Sequence, residues 1–418
     1  MTKRLITRRA TARLLTTTAV AAALGATGAA PAMAANKVVK IGLDCSLTGA
    51  DSQGAIKVKD ATMMAFDAAN QANAVPGYTF ELMVLDDGTA TAGQYDPAQA
   101  ATNARKMVSD PLVVGALGPE MSGAGKAMTP ILSQGDLATI TMSSTNPDIT
   151  NPKFAAQFRP KGKPIYFRTV TTDAYQGPNM ANFFAEKLHV KSVYVLDDSG
   201  AFGVGVADAF QAQAEKKGIK VLGRDRLDPK AADYTTILTK IKSLNPDAIY
   251  FGGVSQAGVK LAKQAYDIMP KVIKGGPDGM TSSELLTGAG FPAVEGWYTT
   301  IAAPHLVDDT KAQQFVASFK GQFGIAPDDY SITAYDAALV MIDAVKRVAA
   351  TGKPVTREAV QAALMTTKVP SIQGTISFDA NGDLADRTVS VFHIEKDASK
   401  PLDDVSAQYK YLEVAPQS

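Results

Sequence analysis

The 418-residue chain is close to electrical neutrality, with 42 lysines and arginines against 41 aspartates and glutamates, which excludes the basic character of proteins that bind nucleic acid or anionic lipid surfaces by charge. A single cysteine, Cys45, excludes an internal disulfide. The three histidines stand far apart, at positions 189, 305 and 393, and match no spacing of metal ligands, so we expect no resident metal.

The first 34 residues have the pattern of an export signal. Five basic residues between Lys3 and Arg13 precede an uncharged stretch at 14–30, and Ala32-Met33-Ala34 matches the small-x-small signal peptidase site. The stretch is too short, and too poor in large apolar side chains, to span a membrane. We expect cleavage near Ala34 and a mature chain free in the periplasm or a similar space. General secretion and the twin-arginine route both remain open.

Beyond the signal, short apolar stretches alternate with stretches of helical spacing. Strands are predicted at 38–44, 80–86, 112–117 and 137–141, with helices at 61–69, 94–109 and 122–134. After a polar loop the rhythm restarts, with strands at 193–197, 220–223, 248–252 and 272–275 and helices at 202–217, 234–244 and 256–268. Continuous apolar strands are typical of parallel sheets covered on both faces. Two such runs predict an α/β fold of two doubly wound, Rossmann-like lobes.

The C-terminal part predicts further elements that return to both lobes. Helices are expected at 330–350 and 356–365, and a hairpin at 372–378 and 388–394, joined by Asp379-Ala380-Asn381-Gly382. Several chain crossings would then form a multi-strand hinge. The expected division is a signal peptide at 1–34, one lobe from 35–169 and 302–371, and a second lobe from 170–301 and 372–418.

Motifs of nucleotide chemistry and hydrolysis fail on spacing. The segment 118–126 resembles a phosphate loop, but Glu120 stands where the first glycine of that motif should be, six residues before Lys126. Gly203-Val204-Gly205 lacks the third glycine of a dinucleotide fingerprint, since position 208 is Asp208. Ser255 does not lie in a nucleophile elbow. We therefore expect no cofactor and no enzyme activity.

Small polar and glycine-rich segments follow the predicted strands, where doubly wound sheets bind their ligands. In chain order they are Ser46-Leu47-Thr48-Gly49, Ser122-Gly123, Ser143-Ser144-Thr145-Asn146-Pro147, 197–203, Gly252-Gly253-Val254 and Gly276-Pro277-Asp278. In this order and at these spacings, they resemble the periplasmic solute-binding proteins of ABC importers, in particular the branched-chain amino-acid (leucine/isoleucine/valine) binding family. The resemblance implies the type I periplasmic binding protein fold, whose two lobes close on a ligand.

The resemblance also implies a ligand-binding site. Ser122, at a predicted helix start, and Thr145, with the backbone near Ser143 and Ser144, would bind a ligand carboxylate. Asp278 would accept the α-ammonium from the opposite lobe.

Three further residues are implied as parts of the pocket. Phe202 and Val254 would form its wall, and Gln53 would lie at its rim. The family often has tyrosines at these three positions, so the pocket of this chain would differ in volume and in hydroxyl groups. The sequence assigns no role to Tyr175 or Tyr330.

These features predict a monomeric carrier that closes on a small polar solute, foremost a branched-chain or related amino acid, and delivers it to the membrane permease of an ABC importer. An amide, a short peptide or an aromatic acid remains open as the ligand. A ligand sensor or regulator of the same fold also remains open. A secreted hydrolase is disfavoured because the scattered histidines offer no base beside a nucleophile.

Overall fold

Two α/β lobes, each built on its own β-sheet, make up residues 36–417, the part of the chain that the computed structural model describes. The export signal predicted at 1–34 lies outside these residues. Within them, no helix is both long and apolar enough to cross a membrane.

The secondary structure alternates as the sequence predicts. The strands are β1 (Lys37–Cys45), β2 (Tyr78–Asp86), β3 (Gly88–Thr89), β4 (Gln94–Tyr95), β5 (Val113–Leu117), β6 (Thr139–Thr141), β7 (Tyr166–Arg168), β8 (Ser192–Asp197), β9 (Lys220–Arg226), β10 (Ala248–Gly252), β11 (Ile273–Gly275), β12 (Trp297–Ile301), β13 (Val369–Ser371), β14 (Gly374–Ile376), β15 (Ser390–Ile394) and β16 (Tyr409–Val414). The helices are α1 (Ser52–Gln71), α2 (Pro97–Ser109), α3 (Ser122–Gln134), α4 (Ala155–Phe158), α5 (Asp173–Glu186), α6 (Ala201–Lys216), α7 (Thr235–Leu244), α8 (Ser255–Ile268), α9 (Ser283–Ala289), α10 (Gln313–Phe323), α11 (Asp329–Ala350), α12 (Arg357–Leu364) and α13 (Val405–Gln408).

Both sheets have the same strand order. The first runs β2-β1-β5-β6-β7 with parallel pairs throughout. The second contains β9-β8-β10-β11-β12 in parallel and is extended beyond β12 by the antiparallel strands β15 and β16. Counted within each lobe, both parallel orders are 2-1-3-4-5. The order therefore reverses beside β1 and beside β8, and the crevice at such a switch point is where ligands bind.

The apolar faces of the helices pack on these sheets. In α11, the residues predicted to share one face, Ala337, Met341, Ala344 and Val348, are all buried in the first core. In the second lobe, Phe210 of α6 stacks on Tyr250 of β10 at 3.7 Å between ring centroids. Burying such a side chain contributes about 1.5–3 kcal/mol, so these faces hold the helices on their sheets.

The chain crosses between the two sheets three times: after β7, after β12 and after β14. The segments that follow β7 and β12 are hydrogen-bonded to one another and to α11. The Thr171 amide donates to the Ala302 carbonyl at 2.8 Å, and the Thr169 hydroxyl donates to the Thr333 carbonyl at 2.9 Å. The exact lobe boundaries stay a prediction.

The predicted hairpin of 372–378 with 388–394 is wrong. The turn itself forms, since the Asp379 amide donates to the Asp383 carbonyl at 2.9 Å. However, β14 pairs with β13, and β15 pairs with β12 and β16. Ile376 and Leu384 instead pack in the first core. The apolar strand β15 finds more partners in the second sheet than the short β14 could offer.

Candidate functional site

A cavity lies where the carboxyl ends of strands from the two sheets face each other, and its empty space, the open mouth included, is about 620 Å³. From the first lobe it is lined by the segments that follow β1, β5 and β6, and by the first turn of α11. From the second lobe it is lined by the segments that follow β8, β10 and β11, and by the start of α9. The cavity thus occupies the position that the strand order predicts.

The segment after β5 forms one wall and carries Glu120 and Ser122. Gly118 adopts a φ of +88°, and a Cβ there would collide with the Asp44 carbonyl, so the turn that brings Glu120 to the cavity needs a glycine. The Glu120 carboxylate accepts a hydrogen bond from the Ser46 amide at 3.0 Å. Burial raises the pKa of Glu120 well above its ordinary value, and the carboxylates of Asp87 and Asp51 add to that shift.

Ser122 is buried at the start of α3. Its hydroxyl oxygen accepts from the Asn146 amide at 3.2 Å and lies 3.5 Å from the Ser144 hydroxyl. The N-cap residue Met121 has no side-chain acceptor for the helix amides. The first amides of α3 can therefore bind an anionic group, together with the Ser122 hydroxyl.

Ser143 lines the same wall, and its hydroxyl donates to the Glu120 carbonyl at 3.1 Å. This bond ties the segment after β6 to the segment after β5. Two serine hydroxyls and a helix start thus lie together on the first-lobe side.

The opposite wall is apolar. Phe202, at the start of α6, and Val254, just before α8, are both buried and in contact with each other. Met121 reaches across from the first lobe and packs against them. This wall can cover the apolar part of a ligand.

Asp278 stands beside the apolar wall and is 7% exposed. Its Oδ1 accepts from the Gly279 amide at 3.0 Å, and its Oδ2 accepts from the hydroxyl of Tyr330, which belongs to the first lobe. Burial raises the pKa of Asp278 to about 6, against the hydrogen bonds from Tyr330 and Gln176 that favour the ionised form. A carboxylate oxygen has room for a further donor, so Asp278 can also accept from a ligand.

Two more carboxylates line the cavity, Asp51 and Glu284. Asp51 occupies the N-cap of α1, but its carboxylate does not cap that helix. Its Oδ2 is buried and has no hydrogen-bond partner among the residues that the structure describes. Burial raises the pKa of Asp51 to about 7, and the carboxylates of Glu284, Asp87 and Asp198 add to the shift.

Hydrogen bonds between the lobes close the rim. The Gln53 amide donates to Glu284 Oε1 at 2.8 Å, the Asn146 side-chain amide donates to the Ala201 carbonyl at 3.0 Å, and Gln256 Nε2 donates to the Ala92 carbonyl at 3.0 Å. The two lobes are thus in direct contact across the cleft.

Five of the eight residues expected in the site line the cavity: Ser122, Ser143, Phe202, Val254 and Asp278. The other three do not. The side chain of Gln53 is exposed, and its backbone makes the rim contact with Glu284. Ser144 and Thr145 are buried behind the wall.

The lining residues that the sequence did not predict include Asp51, Glu120, Glu284 and Tyr330. Two of them, Asp51 and Glu120, follow strands at the same sheet edge as the expected residues. The rule that ligands bind beyond the carboxyl ends of parallel strands could therefore have identified them. Glu284 and Tyr330 lie at helix starts, and no sequence signal distinguishes them. Tyr175 lies elsewhere, with the Arg387 guanidinium 4.8 Å from its ring centroid.

The described residues contain no group of three or more His, Cys, Asp or Glu side chains that could hold a metal ion. The acidic side chains of the cavity come from four separate segments, and Glu120, Glu284 and Asp278 each accept a hydrogen bond from a backbone amide. The features that can bind a ligand are therefore the hydrogen-bonding groups, the apolar wall and the acidic side chains.

Comparison with known proteins identifies the family. The model of a family described as periplasmic binding protein matches residues 38–399. The Leu/Ile/Val-binding protein BraC3 of Rhizobium johnstonii is 29% identical over 363 residues, which are 86% of this chain and 93% of that protein. The leucine-binding protein LivK of Thermotoga maritima has a TM-score of 0.77 and 25% identity, covering 90% of this chain and 98% of that one.

A third comparison concerns the fold alone. The solute-binding protein of an ABC transporter from R. palustris, solved in complex with benzoate, has a TM-score of 0.74 at 20% identity, and the match covers 91% of this chain and 97% of that one. The two-lobed type I fold expected from the sequence is confirmed. Because the family model covers most of its length, this chain belongs to the periplasmic binding protein family.

Proposed function

We propose that this chain is an exported carrier that captures an amino acid between its lobes and delivers it to the permease of an ABC importer. The observation that carries the proposal is the pair of unlike polar groups on facing walls. Ser122 and the start of α3 can hold a carboxylate, and Asp278, from the other lobe, can hold an ammonium. A zwitterion would bridge the lobes and stabilise their closure, because each charged end is bound by a different lobe.

The groups that line the cavity are sufficient for such binding. A dissociation constant of about 1 µM corresponds to about −8 kcal/mol. Hydrogen bonds to charged groups contribute about 1.5–3 kcal/mol each. Apolar contact with Phe202 and Val254 adds about 25 cal/mol for each Å² removed from water.

The relatives favour an amino acid as the solute. The Rhizobium johnstonii protein is named for leucine, isoleucine and valine, and LivK is named for leucine. The R. palustris protein was solved with benzoate, so an aromatic acid is the alternative ligand. Benzoate lacks an ammonium group and would place an anion among carboxylates, which disfavours it here.

We also propose a carrier rather than a catalyst, acting outside the cytoplasm as a monomer after removal of the first 34 residues. Support comes from the surroundings of the cavity serines. None of the three histidines is among the described residues that line the cavity. The Ser122 hydroxyl accepts from the Asn146 amide and contacts the Ser144 hydroxyl, neither of which is a general base.

The test is calorimetric titration of the purified protein, freed of co-purified solute by unfolding and refolding, with amino acids, amides, dipeptides and benzoate. We expect a subset of L-amino acids to bind. Asp278→Asn should weaken that binding about tenfold or more, because it removes the partner of the ammonium, and should leave the melting temperature of the ligand-free protein nearly unchanged.

Asp67→Asn, at an exposed position of α1, is the matched control and should bind as the wild type does. Equal affinity of the Asp278 variant and the wild type would remove Asp278 from the site. Binding confined to solutes without an ammonium group would contradict the proposed function.

A further inference from the structure

Resting on the proposed function, we propose that the cavity selects an amino acid whose side chain is itself a cation, an ammonium or a guanidinium, over an aliphatic one. The carboxylates of Asp51, Glu120 and Glu284 would surround the end of that side chain. The proposal thus narrows the ligand from amino acids in general to the basic ones.

The charge balance of the cavity is the first argument. Four of the lining residues are acidic, and none of the described lining residues is Lys, Arg or His. A zwitterion with an aliphatic side chain brings no net charge and uses only Asp278 for its ammonium. Three carboxylates would then face the ligand with no positive charge to meet them.

The three remaining carboxylates come together from both lobes. Asp51 precedes α1, Glu120 follows β5, and Glu284 lies in the first turn of α9. They therefore meet at the same place only when the lobes are in contact, where the Gln53 amide already bonds Glu284 at 2.8 Å. A cation held among them would stabilise the closed arrangement from both sides.

The existing partners of these carboxylates are neutral. Glu120 accepts from the Ser46 amide, and Glu284 accepts from the Gln53 amide and from the Ser283 hydroxyl at 3.2 Å. Asp51 provides an observation that is independent of the charge balance. Its buried Oδ2 has no partner within residues 36–417, and its carboxylate leaves the α1 amides uncapped although it stands at their N-cap.

A neighbouring basic residue, Lys57, is paired with a different carboxylate. Lys57 lines a smaller adjoining cavity that also touches Glu120 and Glu284. Its ammonium lies 3.3 Å from Asp328 Oδ2, a carboxylate outside the main cavity. The charge of Lys57 is thus matched by Asp328, and within residues 36–417 no basic side chain forms an ion pair with Asp51, Glu120 or Glu284.

The electrostatic environment supports the same conclusion. Burial raises the pKa values of Asp51 and Glu120, and each is raised further by the other acidic groups around it. A ligand cation would relieve both causes, since it compensates the lost hydration and the mutual repulsion. An aliphatic side chain would remove water from the carboxylates and offer no hydrogen bond or opposite charge in its place.

The experiment is titration of the refolded protein at pH 7.5 with L-lysine, L-arginine, L-leucine and the diamine cadaverine. We expect lysine or arginine to bind about tenfold or more tightly than leucine, because a site with buried polar groups rejects a ligand that leaves them unpaired. Cadaverine should bind more weakly than lysine, since it lacks the carboxylate that Ser122 would hold.

Glu120→Gln should weaken lysine binding about tenfold or more and should lower the ratio of lysine affinity to leucine affinity by a similar factor. The matched control is Glu215→Gln, exposed and about 20 Å along α6 from Phe202, which should change neither affinity. The Gln side chain keeps the size and an acceptor oxygen, so a loss specific to lysine reports the charge.

The possible outcomes distinguish failure of this inference from failure of the proposed function. Leucine binding as tightly as lysine overturns this inference and leaves the proposed function standing. Equal binding of lysine by the Glu120 variant and the wild type also overturns it. Failure of all four solutes to bind overturns the inference alone. Binding of benzoate or amides but of no amino acid, in the wider titration that tests the proposed function, overturns both.

Discussion

At the scale of single residues, two carboxyl groups of the cavity have pKa values close to neutral pH. Burial raises the pKa of Asp278 to about 6 and that of Asp51 to about 7. Asp51 faces further negative charges from Glu284, Asp87 and Asp198, and these raise its pKa in addition. A bound cation favours the ionised carboxylates, so binding and proton release should be linked.

We therefore predict that the affinity for a basic amino acid rises with pH between about 5.5 and 8, the range that contains these two pKa values. Below this range the carboxyls hold protons that the ligand cation must displace. The measurement is titration at pH 5.5, 7 and 8 in buffers of different ionisation enthalpy, which also reports the protons released. Asp51→Asn should flatten the upper part of the profile, whereas a wild-type affinity independent of pH would contradict the prediction.

The sequence could predict cavity residues that follow strands, but not which of them turn inward. Ser144 and Thr145 show why. The buried guanidinium of Arg168 donates to the Ser144 carbonyl and, at 2.7 Å, to the Asn146 carbonyl, and it pairs with Asp383 at 2.8 Å. This arrangement joins residues more than 200 positions apart, which no local pattern reveals, and it holds the segment with both side chains behind the wall.

At the scale of elements, the start of α11 joins the hinge to the second sheet. Asp329, the first residue of α11, accepts from the amides of Leu306 and Val307 and lies 2.7 Å from His305 Nδ1. The His305 ring stacks on Tyr411 of β16 at 4.8 Å between centroids. Burial lowers the pKa of His305, but the carboxylates of Asp329 and Asp308 together more than offset this, so the pKa is raised above its ordinary value.

This pair predicts a pH-dependent contribution to stability. Because the folded-state pKa of His305 is raised, the stabilisation is complete below the unfolded value of about 6.5 and is lost as the pH rises through the folded value. We expect His305→Gln to lower the free energy of unfolding by about 1–2 kcal/mol at pH 6 and by less at pH 9. Urea denaturation of both proteins at each pH measures it.

Asp308 and Tyr411 also contact His305, so their contributions must be separated from that of Asp329. Asp308 is the other charged neighbour of His305, at 3.2 Å from Nε2, and is largely exposed, so its own contribution should be small. Asp308→Asn is therefore the control and should change the free energy of unfolding little at either pH. An equal loss for His305→Gln at pH 6 and pH 9 would show that stacking on Tyr411, and not the charge, is responsible.

The elements also show where local sequence patterns stop being informative. Apolar strands and helical spacing identify β1, β2, β5, β6, β8 to β11 and α11, most of which bury a regular face. The strands β3, β4, β7 and β12 were not predicted. The partner of β15 was not predictable in this way. A strong turn signal at 379–382 suggested a local hairpin, yet β15 pairs with β12, about 90 residues earlier, where a sheet edge is open.

At the scale of the whole molecule, two lobes of equal strand order face each other across one cleft. Repetition of the alternating rhythm was enough to predict this organisation, because parallel strands with helical crossovers have few ways to pack. The contacts that hold the lobes together were not predictable. They join loops and helix starts, such as Gln256 with Ala92 and Asn146 with Ala201, whose meeting depends on the angle of the hinge.

These contacts lead to a prediction about closure. Gln256→Ala removes the hydrogen bond to the Ala92 carbonyl without touching a residue of the cavity wall. A net loss of about 0.5–1.5 kcal/mol for the closed arrangement should weaken ligand binding by roughly two- to tenfold. The dissociation rate of the ligand should rise correspondingly, since opening precedes release.

Calorimetry and small-angle X-ray scattering test this prediction together. In the wild type, saturating ligand should reduce the radius of gyration, and in Gln256→Ala it should reach the same value at higher ligand concentration. Gln211→Ala, which removes a glutamine bonded only to Glu215 within α6, is the matched control and should behave as the wild type. If the Gln256 variant binds with unchanged affinity and rates, the hydrogen bond to Ala92 does not contribute to closure. The energy that closes the lobes would then come from the ligand and from the wall formed by Met121, Phe202 and Val254.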